Sequence, residues 1–583
     1  MAFQLEALQQ TSISGVRVAQ ESLPSPKRGF SAALVAAALL VGLLVGGLAT
    51  WLALRPGEPS PLSFEPLTYR RGLVWTARFA AEGKSIIYGA AWGGDPVELF
   101  VTSPDSPESR PLNLGSADLL SIAPTGEMAI SLNRRFTVGW ESSGTLARLP
   151  QDGSAPRELL EKVQEADWGP DGEQLAVVRE VDSQIRLEYP IGNVLYTSEG
   201  WISAARVRPQ GDLIAFNSHP LRGDNIGELM LVDLEGHLTE LAPTSVGGLA
   251  WTPDGSEIWA NDENTILAFS PDGRVRELYT GSSNLDIHDI DANGRVLVAA
   301  PNTRRELIGL GPDSSEPINL TWLNWSQARA ISDDGRYALF GEGNTWSEAG
   351  YWLYVRPTDG APAVRIGEGL SLAFSPDGRW VLALSDPFKN PVPTLFPTGA
   401  GEARPIPIEG IRPQPWAEFL PDGRSFLIAG ALAGEGAQIF QVSVDDGSAH
   451  PVTPKGVAFQ YEGGAISPDG RHVATIGPEH LIVIYPIGEG ESSLLPNASS
   501  EDIPIQWSDD GNHLFVYQQG SLPTSVERID LTTGERSLWM ELEPADPSGV
   551  FDIDMLHMTR DGRSYIYSFR RLLFQLQLVE GLQ

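Results

Sequence analysis

The stretch FSPDGRWVLA, residues 374–383, decides how this chain is read. A proline at 376 presets φ for the first turn position, Asp377 accepts a hydrogen bond from the turn backbone, and Gly378 takes the positive φ that closes a hairpin. The apolar-alternating run that follows is a strand, so the segment is one strand, a tight turn and a second strand. The same pattern recurs along the chain, as WGPDGEQLAVV with its turn at Gly172, WTPDGSEIWA at Gly255, ISDDGRYALF at Gly335, FLPDGRSFLI at Gly423 and ISPDGRHVAT at Gly470. Looser copies turn at Gly83, Gly126, Gly211, Gly294, Gly511 and Gly562. Gly83 to Gly562 spans 479 residues in eleven intervals, about 43.5 residues each, which is the length of a four-stranded propeller blade.

A second turn follows inside most units, at Glu235-Gly236, Asp272-Gly273, Asp359-Gly360, Asp446-Gly447 and Thr533-Gly534, 18 to 25 residues after the preceding turn glycine. Between the turns lie period-two segments such as 227–233 and 351–355, giving four strands per unit. The fold class expected is all-β: tandem β-propellers of about twelve four-stranded blades behind one N-terminal transmembrane helix. Propellers typically hold about 4 to 8 blades, so twelve units imply two rings, with six plus six the simplest division. The last unit supplies strands at 564–569 and 572–579 and then stops, whereas FEPLTY at 64–69 precedes the first unit and resembles a fourth strand. The two termini are therefore expected to complete one blade together. That closure also permits one ring to be inserted in the other.

The uncharged stretch 29–54, GFSAALVAAALLVGLLVGGLATWLAL, gives the N-terminal expectation. About 20 apolar residues cross a hydrocarbon core, and a signal peptide's apolar core is shorter, so the stretch reads as an uncleaved span. Arg17, Lys27 and Arg28 before it balance Arg55, Arg70 and Arg71 after it, and the close Lys27-Arg28 pair favours a cytoplasmic N-terminus. The resulting division is 1–28 cytoplasmic juxtamembrane tail, 29–54 transmembrane helix, 55–63 Pro-rich stalk, 64–320 first propeller and 321–583 second propeller. Ala38, Gly42 and Gly46 share one helix face at four-residue spacing, a pattern that packs two spans into a homodimer.

Composition removes several function classes. With 41 Lys+Arg against 75 Asp+Glu the net charge is −34, which repels phosphate backbones and argues against nucleic acid as a partner. Cys is absent, which excludes disulfides, thiolate metal sites and cysteine nucleophiles. There is no Gly-x-Ser-x-Gly elbow and no His-Glu-x-x-His pair. Asp289, Asp291, Asn293 and Gly294 imitate the opening of a calcium loop, but position twelve is Ala300, where a bidentate Glu is required, so the segment reads as a blade turn. No metal, cofactor or catalytic residue is therefore expected. The aromatic residues ahead of the turns, Phe79, Trp168, Trp251, Phe374, Phe419 and Trp507, read as inter-blade packing. Polar residues just before such positions, Arg78, Asp167, Arg206, Asp289, Glu418 and His557, read as solvated or inter-blade hydrogen-bonding groups, and no binding residue is assigned. The Pro- and Gly-rich stretch 386–404 reads as an irregular surface connection.

The repeats resemble the WD40-like Pro-Asp repeat of TolB-type propellers over about 64–581, without the Trp-Asp dipeptide of true WD40 blades. A shorter resemblance lies in MAFQLEAL, residues 1–8, which looks like the closing helix of bacterial receptor-type serine/threonine kinases. The order of that segment, Lys27-Arg28, span and propeller is similar to the sensor half of such kinases. No Gly-rich phosphate loop, Val-Ala-Ile-Lys, His-Arg-Asp or Asp-Phe-Gly motif is present, so nothing here holds ATP and magnesium. The expectation is that the kinase lies on a separate upstream product, or that Met1 is an internal start or a misplaced gene boundary. The resemblance implies a non-catalytic sensing or protein-interaction module in signal transduction, in a bacterial cytoplasmic membrane with the propellers periplasmic or extracellular. Its partner would be a protein, peptide or small molecule at a propeller channel or loop. The alternatives are a TolB-like envelope scaffold, or the binding half of an enzyme whose catalytic chain is separate.

Overall fold

The Pro-Asp-Gly turns close as their residue types require. Gly378 has φ 65°, and the other eleven turn glycines have φ between 64° and 86°. At 375–380 the Ser375 Oγ donates to Asp377 Oδ1 (2.6 Å) and accepts from Trp380 N (3.0 Å), while Arg379 N donates to the same Asp oxygen (3.1 Å). The same lock forms at Ser332–Asp334, Ser467–Asp469, Ser508–Asp510 and Thr559–Asp561. The hydroxyl two residues before the Asp is thus part of the turn, which the Pro-Asp-Gly reading had missed.

In the computed structural model these hairpins build an all-β molecule. The structure describes residues 61–583 apart from 81–82, 138, 152–153, 183, 221, 224, 244–245, 263, 344–350, 388, 458–462, 478–479, 521 and 583. The stretch expected to span a membrane, 29–54, lies outside these residues, as do 1–28 and Ala38, Gly42 and Gly46. Among the described residues no helix is long and apolar enough to cross a membrane.

Among the described residues, eight sheets are separate four-stranded antiparallel sheets of propeller type. A seven-stranded sheet arises because one twelve-residue strand, Arg157–Trp168, serves two neighbours. Its first half pairs with Ser142–Leu149 and its second with Leu175–Val181, the switch falling near Lys162 at φ 55°. The inner strands form two closed cycles. In one, Gly72–Phe79, Ala117–Ile122, Arg157–Trp168, Trp201–Val207, Val246–Trp251 and Asp286–Ile290 each touch the next, and the last touches the first. In the other, Gln327–Ile331, Leu370–Phe374, Ile411–Phe419, Gly464–Ile466, Ile503–Trp507 and Met555–Met558 do the same. Apolar clusters fill the gaps between neighbouring sheets, for example Leu382, Leu384, Phe419, Phe426, Ile428 and Val442.

Two long strands join the cycles. Val296–Leu310 pairs with Tyr565–Glu580 over its whole length, from Val296 opposite Val579 to Leu310 opposite Tyr565. One half of this pair is flanked by Asp286–Ile290 and by Ser63–Pro66, which pairs with Gln577–Glu580. The other half is flanked by Ile318–Asn319 and Met555–Met558. The two strands expected at 564–569 and 572–579 are therefore one. Arg570 and Arg571 look like a polar turn in sequence, but they are 5% and 3% exposed and ion-paired, Arg570 to Asp554 (3.7 Å) and Arg571 to Glu306, so the strand runs straight through them. The stretch 386–404 also differs from its irregular reading. It contains the strand Val392–Pro397, paired in full with Trp380–Ser385. Prolines at 393 and 397 obscured it; they fall outside the two-residue pairing of Thr394 and Leu395 with Pro405 and Arg404.

Candidate functional site

Four of the six polar residues singled out before the packing positions tie neighbouring sheets together. Asp289 accepts from Phe79 N (2.8 Å), Asp167 from Val207 N (2.8 Å) and Glu418 from Ile466 N (3.2 Å). Arg78 donates to the carbonyls of His288 (2.8 Å) and Leu120 (3.0 Å). Arg206 donates to its neighbour's carbonyl, Ala205 O, and His557 lines a cavity of about 280 Å³ in the second cycle together with Glu418. Burial pushes the Glu418 carboxyl up to about 7, and burial beside Arg329 lowers His557 to about 4. The aromatic residues pack between sheets as expected: Trp251 Nε1 donates to Arg206 O (3.1 Å) and Trp507 Nε1 to Ala465 O (2.9 Å). In the calcium-like segment, Asp291 accepts from Asn293 N (2.9 Å) and Arg295 N (2.8 Å) and pairs with the Arg295 guanidinium (2.8 Å), as a turn residue does.

A larger space lies where no candidate had been named. A chamber of about 1030 Å³ opens at the first cycle, walled by five of its inner strands, all but Ala117–Ile122, by Ala300–Thr303 and Phe574 in the middle of the two long strands, and by the loop Leu323–Trp325. Glu342 holds that loop by accepting from Leu323 N (2.9 Å) and Trp325 N (3.2 Å). Aromatic rings form the rim. Trp75 stacks on Phe136 at 4.8 Å, Trp140 on Trp325 at 6.4 Å, and the Arg570 guanidinium sits over both Phe136 (4.7 Å) and Trp140 (4.9 Å). On one wall Arg134 is held by Asp118 (2.8 Å) and Glu165 (3.1 Å).

The polar floor depends on two glycines. A Cβ on Gly247 would stand 2.3 Å from Asp286 Oδ1, and one on Gly248 would stand 2.0 Å from Ile287 O, so only glycine lets the strand carrying Asp286 come this close. Asn261, 3% exposed, accepts from Gly248 N (2.8 Å) and donates to Asp286 Oδ1 (3.2 Å). Burial raises the Asp286 carboxyl to about 6, the Asn261 hydrogen bond opposing it. His219 stacks on Trp201 at 4.1 Å. Its Nδ1 lies 3.3 Å from Ile226 O and its Nε2 2.8 Å from Ser203 Oγ. A carbonyl only accepts, so in the neutral ring Nδ1–H donates to it and Nε2 accepts from the serine. Burial lowers His219 to about 4, which leaves it a poor general base for Ser203, and the pair reads as positional. His288 is lowered to about 3 by burial and then by Arg78 and Arg206, and its Nε2 is buried without a hydrogen-bond partner among the described residues.

Sequence reading missed this floor because its residues come from five strands, and Asp286 and Asn261 sit outside every turn motif. The adjacent glycines at 247 and 248, inside a strand-patterned run, were the available signal for a close approach.

The chain matches no protein-family model and no curated protein. Among solved structures it is similar to the tricorn protease, with a TM-score of 0.31 and 14% identity over 86% of this chain and 57% of that one. It thus spans a little over half the length of that protein. It is also similar to TolB from Acinetobacter baumannii (TM-score 0.30, 16% identity, 55% of this chain and 78% of that one) and to a putative TolB from Agrobacterium tumefaciens (TM-score 0.23, 16% identity, 58% and 94%). The propeller-type fold rests on the chain's own four-stranded sheets. The kinase-sensor resemblance finds no support in these comparisons.

Proposed function

We propose that the chain is a non-catalytic binding module built as two six-bladed propellers, whose chamber at the first ring receives part of a protein, peptide or small-molecule partner. The chamber carries this reading: convergent buried polar groups lie beneath an aromatic rim in a space large enough for a ligand. The two closed cycles of six inner strands support the ring count, and the shared strands support insertion of the second ring into the last blade of the first. On that reading the ring boundary runs through the middle of both long strands, near 301–305 and 570–574, instead of falling at 320/321, because each strand continues unbroken from one ring into the other. The apolar stretch 29–54 supports tethering to a bacterial membrane as one pass, with pairing of spans through Ala38, Gly42 and Gly46. Sensing for a kinase on another chain and scaffolding in the envelope are the two outputs that such a tethered module serves.

The chamber reading is tested by filling it. Thr303, on its wall, is replaced by Trp in the full chain in detergent, and peptides and small metabolites are screened by thermal shift. Compounds that raise the melting temperature of the wild type are expected to lose that effect in T303W while the unliganded variant melts within about 2 °C of the wild type, the change being partly exposed and in an extended strand. Shifts that persist in T303W would place binding elsewhere. Tethering is tested separately, with periplasmic and cytoplasmic reporters fused after Gly57. Activity confined to the cytoplasmic reporter would refute the extracytoplasmic arrangement.

A further inference from the structure

Asp286 stands out among the charged groups around the chamber because it has no cationic partner. Arg134 is paired with Asp118 and Glu165, and Glu342 is taken up by the loop backbone it holds. Arg78 and Arg206, the two cations whose charges reach His288, both lie within the field of Asp289. For Asp286, by contrast, the structure gives one polar contact, the Asn261 amide on Oδ1, and no ion pair among the described residues. Beside it in the chamber wall is His288, nine-tenths buried, whose Nε2 has no hydrogen-bond partner among the described residues. Resting on the reading of the chamber as a binding site, we propose that it takes a protonated primary amine on an apolar stem, the ammonium engaging the Asp286 carboxylate and the His288 imidazole and the stem lying against the aromatic rim.

The chemistry favours a cation over a neutral or anionic group. A carboxylate removed from water without a counter-charge is costly, and an ammonium ligand supplies both the charge and the hydrogen-bond donors that Asp286 and His288 lack. Aromatic faces accept cations as well as apolar stems. The chain's net charge of −34 raises the local concentration of cations, a contribution to encounter that salt screens. His219 and His288, lowered to about 4 and about 3, stay neutral above pH 5 and do not compete with the ligand's charge. Asp286, raised to about 6, is ionised at pH 7.5 and loses its charge as the pH falls through 6.

The test is isothermal titration calorimetry of the full chain in detergent at pH 7.5 with two charged probes and their neutral twins. The probes are 2-phenylethylamine against 2-phenylethanol, and an acetylated Ala-Phe-Lys-Phe-Ala amide against the same peptide with acetyl-lysine. At least one charged probe is expected to bind tenfold or more tightly than its twin, the preference disappearing in Asp286→Asn and weakening in the wild type below about pH 6. Binding of the free amine alone points to a small-molecule source, and binding of the lysine peptide to a protein-borne one. Equal binding of charged and neutral twins overturns the amine inference while leaving the chamber reading in place, and so does binding by neither charged probe. Binding that survives T303W overturns the chamber reading itself. Asp286→Asn keeps the acceptor for Asn261. Because the folded-state pKa is raised, the ionised form is the one burial disfavours, so the variant melts no lower than the wild type at pH 7.5. That difference shrinks as the pH falls from 6 towards 4.

Discussion

A chain ending at Arg571 is expected not to reach the native state. The residues removed include Leu572, Leu576, Leu578 and Val579, each at most 2% exposed, and they form half of the long strand that Val296–Pro301 and Ser63–Pro66 both pair with. At about 1.5–3 kcal/mol for each buried side chain, the apolar loss alone is about 6–12 kcal/mol, comparable with the whole stability of a typical domain. The loss also unpairs backbone groups on both flanking strands and leaves the first cycle with an open seam. Soluble yield and resistance to limited proteolysis provide the readout. A truncated chain as soluble and protease-resistant as the full one would mean that the seam contributes little.

Asp118→Ala is expected to cost about 3–5 kcal/mol, because it strands the buried guanidinium of Arg134. Asp118 is fully buried, accepts from Thr76 Oγ1 (2.8 Å) and Leu119 N (2.8 Å), and pairs with Arg134 at 2.8 Å, while Arg134 itself is 3% exposed at the side chain. Burial raises the Asp118 carboxyl, and the Arg134 charge is the largest effect opposing it. Gly89 belongs to the same device, since a Cβ there would stand 1.7 Å from Asp118 Oδ1. Denaturant unfolding of D118A, of R134M and of the double variant separates the terms. The double variant should lose less than the sum of the singles, because neither charge is then buried alone. A loss below about 1 kcal/mol in D118A would show that Glu165, 3.1 Å from Arg134, suffices as its counter-ion.

What was legible in the sequence followed from local chemistry. The glycine at each turn, the proline and aspartate beside it and the alternation after it are all satisfied within about ten residues, so strands and hairpins could be read directly. The Ser/Thr two residues before the turn aspartate is equally local and was readable in principle. The break expected at Arg570-Arg571 shows where such reading stops. Two consecutive charged residues resemble a turn until Asp554, on the neighbouring strand segment, and Glu306, far away in sequence, are found to pair with them.

The sequence by itself determined the repeat, its four-stranded units and the turn chemistry, because each depends on backbone sterics and hydrogen bonds among neighbours. Only the tertiary structure decided that two strands run through both cycles, that Arg157–Trp168 serves two sheets, and that Gly247, Asn261, Asp286 and His288 meet beneath one chamber. Those placements depend on ring closure, which brings together side chains whose separation along the chain carries no periodic signal, and on the packing and ion pairs that form only once the rings have closed.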